Sequence, residues 1–239
     1  MTNKIEKDII KNLDTSKNYV VALSGGVDSA VLAAIVSKKI PNLRSIFVRH
    51  NQKHSNDLEE SANRVAKKLK IKHKALDSSL EENSSETKMR EARYEILYSE
   101  LKEEEILLTG HTLSDKVETF FINLLRGTRV RGLRSIPKMT ERTKRPLLGI
   151  SKENLIKYAK ENDIEYLDDA TNFDNKIIRN WIRNELIPKV DEKFEGTIEE
   201  KISSLITEIE SIFETTDLDF KYVKTAKGYV EIPIALVKE

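Results

Sequence analysis

Short apolar runs alternate with amphipathic stretches along the first half of the chain. Tyr19-Val20-Val21-Ala22-Leu23 is unbroken and five residues long, the length and character of a strand buried on both faces. It gives way to Ser24-Gly25-Gly26, after which Asp28 and Ser29 open an apolar helix through Ala30–Val36. The alternation repeats. Pro41-Asn42 turns the chain into a second run, Arg44–Val48, and a helix follows from about Asn56 to Leu69. A third run, Ile71–Leu76, is followed by a polar stretch, Asp77–Glu86, and a helix through Tyr94 and Leu97 to Leu101. A fourth run, Ile106–Thr109, ends at Gly110-His111, and residues 5–13 form an amphipathic lead-in helix. The order βαβαβαβ with short connections predicts an α/β fold with a doubly wound, mostly parallel sheet.

Past residue 110 the spacing is mainly helical. A helix over Ser114–Leu125 is expected, with Ser114 as its N-cap and Gly127 ending it. Ser151 caps another that runs to Asn162, and a third passes through Arg179, Trp181 and Arg183 until Pro188 stops it. After Gly196, Ile198, Ile202, Leu205, Ile206, Ile209 and Ile212 recur at helical spacing. Phe220–Val223 and Tyr229–Val237, joined across Ala226-Lys227-Gly228, read as a hairpin. A boundary near residue 190 therefore separates a domain of residues 1–190 from a small appendage of residues 191–239.

Composition narrows the class. Charged residues make up 34% of the chain and no apolar stretch approaches the roughly 20 residues a bilayer requires, so a soluble protein without membrane partners is expected. The N-terminal MTNKIEKDIIKNL is charged and has no signal-peptide core. Cysteine is absent, which excludes disulfides, thiolate chemistry and Cys-type zinc sites and fits a cytoplasmic enzyme. Net charge is only +1, but Arg126, Arg129, Arg131, Arg134, Lys138, Arg142, Lys144 and Arg145 face Glu141 alone over twenty residues. Such a stretch suits a polyanion such as RNA, with Arg126, Arg129, Arg131 and Arg134 as its candidate contacts.

The loop Ser24-Gly25-Gly26-Val27-Asp28-Ser29 is the strongest chemical signal. A strand, a glycine turn and a helix N-terminus direct free amides and a positive dipole end at one point, which makes an anion site. The Walker A lysine is missing, and Asp28 stands where a magnesium ligand would serve a bound polyphosphate. SGGVDS resembles the PP-loop of the ATP pyrophosphatases, which implies ATP as substrate, Mg²⁺ as cofactor and cleavage between the α- and β-phosphates. His50, His111 and the loop all fall at predicted strand C-terminal ends, the rim where parallel sheets bind ligands.

The second half narrows the resemblance. Leu108-Thr109-Gly110-His111-Thr112-Leu113-Ser114-Asp115-Lys116-Val117-Glu118-Thr119 with Leu124-Leu125-Arg126-Gly127 resembles the tRNA(Ile)-lysidine synthetases. So do Met89-Arg90-Glu91-Ala92-Arg93-Tyr94, Arg145-Pro146-Leu147-Leu148, Asp169-Ala170-Thr171-Asn172-Phe173-Asp174 and Arg179-Asn180-Trp181-Ile182-Arg183. The blocks cover about residues 17–190. The resemblance implies a PP-loop, Rossmann-like sheet of the adenine nucleotide α-hydrolase type. It also implies adenylation of the C2 oxygen of the wobble cytidine in a CAU-anticodon tRNA(Ile), followed by displacement of AMP by free L-lysine.

Asp115 and Glu118, three residues apart, share one helix face with His111 one turn earlier. The resemblance gives catalytic, lysine-binding or magnesium-binding roles to His111, Asp115 and Glu118, beside Asp28 as the first metal ligand. It gives Arg183 a phosphate and Arg179 an ion-pair or RNA contact. Trp181 reads as packing, His50 equally as structural or functional, and Arg93 and Tyr94 as a helix-to-sheet lock or as contacts to ATP or the anticodon. Two positions depart from the family pattern: Ser114 precedes Asp115 where the family has a second acid, and Arg49 precedes His50 where it has an acid. The alternatives are another adenylating ligase of the PP-loop type or a non-catalytic RNA-binding relative; a homodimer is a further candidate assembly. Absence of cysteine argues against the thiolation enzymes of the superfamily.

Overall fold

In a computed structural model, residues 2–52, 54–81, 84–167, 175–194, 197–215, 220–225 and 228–233 are described. The apolar run forms β1 (Asn18–Ala22), with Tyr19, Val20 and Val21 fully buried. Its side chains alternate between two cores. Tyr19, Val21 and Leu23 join one with the following helix, and Val20 joins the other with Ile46, Val48 and Leu107. The helix after it, α2 (Val27–Ser37), is apolar nearly all round and nearly all buried, as a helix enclosed on every side must be. The lead-in helix α1 (Thr2–Ile10) contributes Ile5 and Ile9 to that first core.

The chain then steps through β2 (Arg44–Arg49), α3 (Ser55–Leu69) and β3 (Lys72–Asp77), each strand parallel to the last. Helix α4 (Glu86–Ser99) covers the second core with Leu97, and β4 (Glu105–Leu108) returns to the other side of β1, parallel to it, with Val21 opposite Leu108. The sheet order β3-β2-β1-β4-β6-β5 therefore reverses between β1 and β4. Ligand crevices of open α/β sheets form at that reversal, beyond the strand C-terminal ends. The doubly wound, mostly parallel sheet is as expected.

Sequence reading missed β5 (Met139–Thr140) and β6 (Thr143–Lys144), an antiparallel pair of two-residue strands inside the basic stretch. Strand β6 adds to β4 in parallel, and Arg145 just after it is buried, its Nη1 donating to the Pro137 carbonyl at 3.0 Å. The stretch is thus not one continuous solvated face.

Helix α5 (Leu113–Leu125) begins at Thr112, not Ser114. Thr112 and Asp115 form a reciprocal capping box: the Asp115 amide donates to Thr112 Oγ1 at 3.3 Å, and the Thr112 amide donates to Asp115 Oδ2 at 2.8 Å. Ser151 caps α6 (Lys152–Glu161) as expected. Pro188 does not stop its helix. Helix α7 (Ile178–Trp181) widens into a π-helical segment, Ile182–Leu186, and continues as α8 (Ile187–Lys193) with Pro188 in the first turn. The wider winding of the π-helical segment relieves the ring's clash with the preceding turn, so the helix runs through the proline. The expected boundary at residue 190 falls inside α8.

Helix α9 (Ile198–Thr215) seats Ile206 and Ile209 in the interior, and Lys116 of α5 donates to Glu210 at 3.0 Å. An antiparallel hairpin, β7 (Phe220–Thr225) and β8 (Gly228–Pro233), matches the expected tail. The Asp169–Asp174 block, the Ala226-Lys227 turn and the last residues of the second tail strand lie outside the described residues. Among the described residues, no helix is long and apolar enough to cross a membrane.

Candidate active site

Two glycines set the floor of the crevice. Gly25 has φ +84°, and a side chain there would meet the Leu58 carbonyl oxygen at 2.2 Å. Its own carbonyl accepts from Ser61 Oγ at 2.9 Å and from the Leu167 amide at 3.0 Å, which fixes the loop. Gly110, at the end of β4, lies so close to α2 that a Cβ would come within 3.0 Å of the Ser29 amide nitrogen. The ends of β1 and β4 are thereby brought together. The Ser24 amide donates to Ser29 Oγ at 3.1 Å, and Ser29 Oγ donates to the Gly26 carbonyl at 3.1 Å. Gly26 is the N-cap of α2 and has no side chain to cap with. No side chain therefore caps the first amides of α2, those of Val27 and Asp28, and the positive helix end stands behind them.

Asp28 is the acid on this loop. Its Oδ1 is buried without a hydrogen-bond partner, and its Oδ2 lies 3.9 Å from Lys152 Nζ. Burial pushes its carboxyl up to about 6, Lys152 counters this, and nearby Asp115 adds to it. An orphaned buried carboxylate oxygen beside a phosphate-sized anion site fits a magnesium ion, which keeps most of its ligands as water and phosphate. Among the described residues, no three His, Asp or Glu side chains are grouped as a protein-only metal cage.

Asp115 and Glu118 share one face of α5, as their spacing predicts. Burial favours the neutral Asp115, but His111, the Thr112 amide and hydroxyl, and Arg179 outweigh it and hold the carboxyl below the usual value. Asp115 Oδ1 lies 3.8 Å from both Arg179 Nη1 and Arg183 Nη2. Glu118 is wholly buried and accepts from Arg183 Nε at 2.6 Å, Arg183 Nη2 at 3.0 Å and Arg179 Nη1 at 3.3 Å. Both Glu118 oxygens are therefore committed to arginine rather than left for metal.

The two histidines are held alike. His111 Nδ1 pairs with Thr109 Oγ1 at 2.9 Å, and Arg90 Nη1 stands 3.4 Å from its Nε2. His50 Nδ1 pairs with Ser78 Oγ at 3.1 Å, and Arg93 Nε donates to its Nε2 at 3.1 Å. An arginine donor at Nε2 fixes each ring as the neutral Nδ1–H tautomer. Burial, then Arg93, drives His50 down to about 4, and burial lowers His111 as well. Arg90 also lies over the Tyr94 ring at 5.1 Å. Arg93 thus ties this helix to the end of β2, and Arg90, three residues earlier on the same face, reaches the histidine after β4.

The basic residues divide. Arg126 and Arg129 are exposed beyond the C-terminal end of α5, and Arg126 lies about 16 Å along the helix from Asp115 at 1.5 Å per residue. Arg131 and Arg134 are half-buried, with guanidinium carbons 5.8 and 4.8 Å from the Phe213 ring of α9. Lys152 was missed altogether. Its sequence signal was the capping serine before it, but only the tertiary fold brings it to Asp28.

The model of a family described as a PP-loop domain matches residues 1–190. The tRNA(Ile)-lysidine synthase of Coxiella burnetii is 36% identical over 191 residues, 75% of this chain and 42% of that protein. That of Wigglesworthia glossinidia brevipalpis is 33% identical over 208 residues, 79% of this chain and 52% of that protein. The chain thus spans about half the length of the curated relatives it matches. Among solved structures, the U34-tRNA thiolase NcsA of Methanococcus maripaludis with its [4Fe-4S] cluster superposes with a TM-score of 0.68 at 18% identity. The match covers 89% of this chain and 79% of that one, a likeness of fold.

Proposed function

The chain belongs to the PP-loop family of ATP-binding domains, and from that premise we propose that it is an ATP-dependent ligase converting the wobble cytidine of a CAU-anticodon tRNA(Ile) to lysidine. The observation that carries the reading is the meeting, at one sheet reversal, of an uncapped PP-loop bearing Asp28 with an α5 face bearing Asp115 and the arginine-clamped Glu118. Likeness to relatives named tRNA(Ile)-lysidine synthase supports the choice of substrate.

In this reading the loop amides and the α2 N-terminus bind the phosphates of ATP. The cytidine C2 oxygen attacks the α-phosphorus, and the bond to the bridging oxygen breaks with its electron pair leaving on pyrophosphate. The lysine amine then attacks C2, AMP departs on the former carbonyl oxygen, and the amine loses a proton. Asp28 would hold Mg²⁺, which when bound supplies charge neutralisation at the phosphates. Asp115, low in pKa and with Oδ1 outside hydrogen-bond distance of Arg179 and Arg183, suits the lysine ammonium. Neutral His111 sits beside it; its one lone pair is on Nε2, so it takes a proton only when Arg90 draws away. Glu118 aims Arg183 and Arg179 toward the crevice rather than meeting substrate itself.

The test is direct. Incubation with a CAU-anticodon tRNA, ATP and labelled lysine, followed by nuclease digestion, is expected to yield a lysine-bearing nucleoside and stoichiometric AMP. Label that stays entirely with free lysine would overturn the proposal.

A further inference from the structure

Lys152 opens α6 in an electrostatically awkward place. It occupies the first helical position after the Ser151 cap, where the helix dipole repels an ammonium group. Two more helix N-termini crowd the same corner. The α2 N-terminus abuts Gly110, and the amide of Leu113, first residue of α5, donates to the Ile150 carbonyl at 3.0 Å, one residue before Ser151. Against this positive surround stands Asp28, 3.9 Å from Lys152 Nζ and with its other oxygen buried and unpartnered. A cation so placed, with its side chain 31% exposed, matches an anion of greater charge than one carboxylate.

We propose that Lys152 is a further phosphate-binding residue of this site, resting on Asp28 when no nucleotide is bound and moving to the β- and γ-phosphates when a nucleoside triphosphate fills the loop. As the bond from the α-phosphorus to the bridging oxygen breaks, its electron pair adds a negative charge to the departing pyrophosphate, and the Lys152 ammonium meets that charge. The move leaves both Asp28 oxygens to the metal side of the site. The inference rests on the ATP-consuming reading above and adds a residue that neither composition nor spacing singled out.

Binding tests it without tRNA or lysine. The full chain, with magnesium present, is titrated calorimetrically with inorganic pyrophosphate, α,β-methylene-ATP and AMP. Lys152→Met is expected to weaken the first two about tenfold or more, as loss of a charge-assisted contact does. AMP affinity is expected to stay within about twofold, which also reports that the loop is folded, and Lys152→Arg is expected to restore most of the loss. Unchanged affinities in Lys152→Met, or an equal loss for AMP, would overturn the inference. If that happened in a protein that forms lysidine, the proposed function would stand alone. Lys152-dependent pyrophosphate binding in a protein that forms no lysidine would leave the inference standing and remove the substrate reading. Failure of the unaltered chain to bind any of the three would overturn both.

Discussion

Arg183 grips Glu118 at both carboxylate oxygens, Nε to Oε1 at 2.6 Å and Nη2 to Oε2 at 3.0 Å, and no part of the Glu118 side chain reaches solvent. Burial pushes the Glu118 carboxyl up, and Arg183 opposes that shift. Removing the Glu118 charge strips Arg183 of two charge-assisted hydrogen bonds, although Asp115 remains 3.8 Å away and the burial cost of the carboxylate is relieved. Glu118→Gln is therefore expected to lower unfolding free energy by about 1–3 kcal/mol, measured by urea denaturation. Arg183→Lys keeps the charge but loses the fork, so ATP-dependent turnover is expected to fall further than stability does. Equal stability of Glu118→Gln and the unaltered chain would show that the pair does not hold α5 to the π-helical segment.

Asp28 works against the fold it serves. Its carboxyl is raised from 3.8 to about 6, chiefly by burial. Between those values the folded state holds the proton more tightly than the unfolded chain, so stability falls as pH rises through the window. Above it the ionised group costs the fold about 3 kcal/mol, at 1.36 kcal/mol per unit. In magnesium-free buffer at pH 7.5, Asp28→Asn is expected to melt higher than the unaltered chain, with the gain shrinking to nothing as pH drops toward 4. The same variant is expected to lose AMP formation while tRNA binding persists. A melting temperature unchanged by the substitution at every pH would remove the burial argument.

The histidines supply the opposite slope. His50 is lowered from 6.5 to about 4 by burial first and Arg93 second, so the unfolded chain binds the proton more readily between those values. Its contribution to stability is present above about pH 6.5 and is lost as pH falls toward 4. Arg93→Gln removes the donor at Nε2 and is expected to raise the His50 pKa, which NMR of the imidazole Cε1 proton would read directly. His111 and Arg90 form the parallel case on β4. An unchanged His50 titration in Arg93→Gln would assign the whole shift to burial.

The elements that place the site were legible because each is local. The apolar runs Tyr19–Leu23 and Ile106–Thr109 mark the strands Asn18–Ala22 and Glu105–Leu108 to within one residue, and Gly25, Gly110 and His111 lie within two residues of the runs' ends. What sequence reading misread depended on contacts between distant segments or on winding. Strands β5 and β6 have two residues each and exist only because the edge of β4 accepts β6, which in turn pairs with β5. Asp115 is the N3 partner of Thr112 and also lies 3.8 Å from Arg179, and periodicity cannot separate a capping acid from a candidate site acid. Pro188 reads as a stop unless the π-helical turn before it is known. Lys152 meets Asp28 across 124 positions of chain, a pairing that only the packing of α6 against α2 creates.

The four arginines after α5 are expected to separate by experiment. Arg126 and Arg129 are exposed, whereas Arg131 and Arg134 flank Phe213 of α9. If the exposed pair meets RNA phosphate, Arg126→Ala/Arg129→Ala weakens tRNA binding and flattens the slope of log affinity against log salt by roughly 1–2, with stability within about 0.5 kcal/mol of the unaltered chain. Arg131→Ala/Arg134→Ala instead removes two cation–π contacts and the cover over Phe213, at a cost of about 1–2 kcal/mol in stability. Filter binding across a salt series, paired with denaturation of each double variant, distinguishes the two. A salt slope altered only in the Phe213-flanking pair would move the RNA face onto α9 and away from the end of α5.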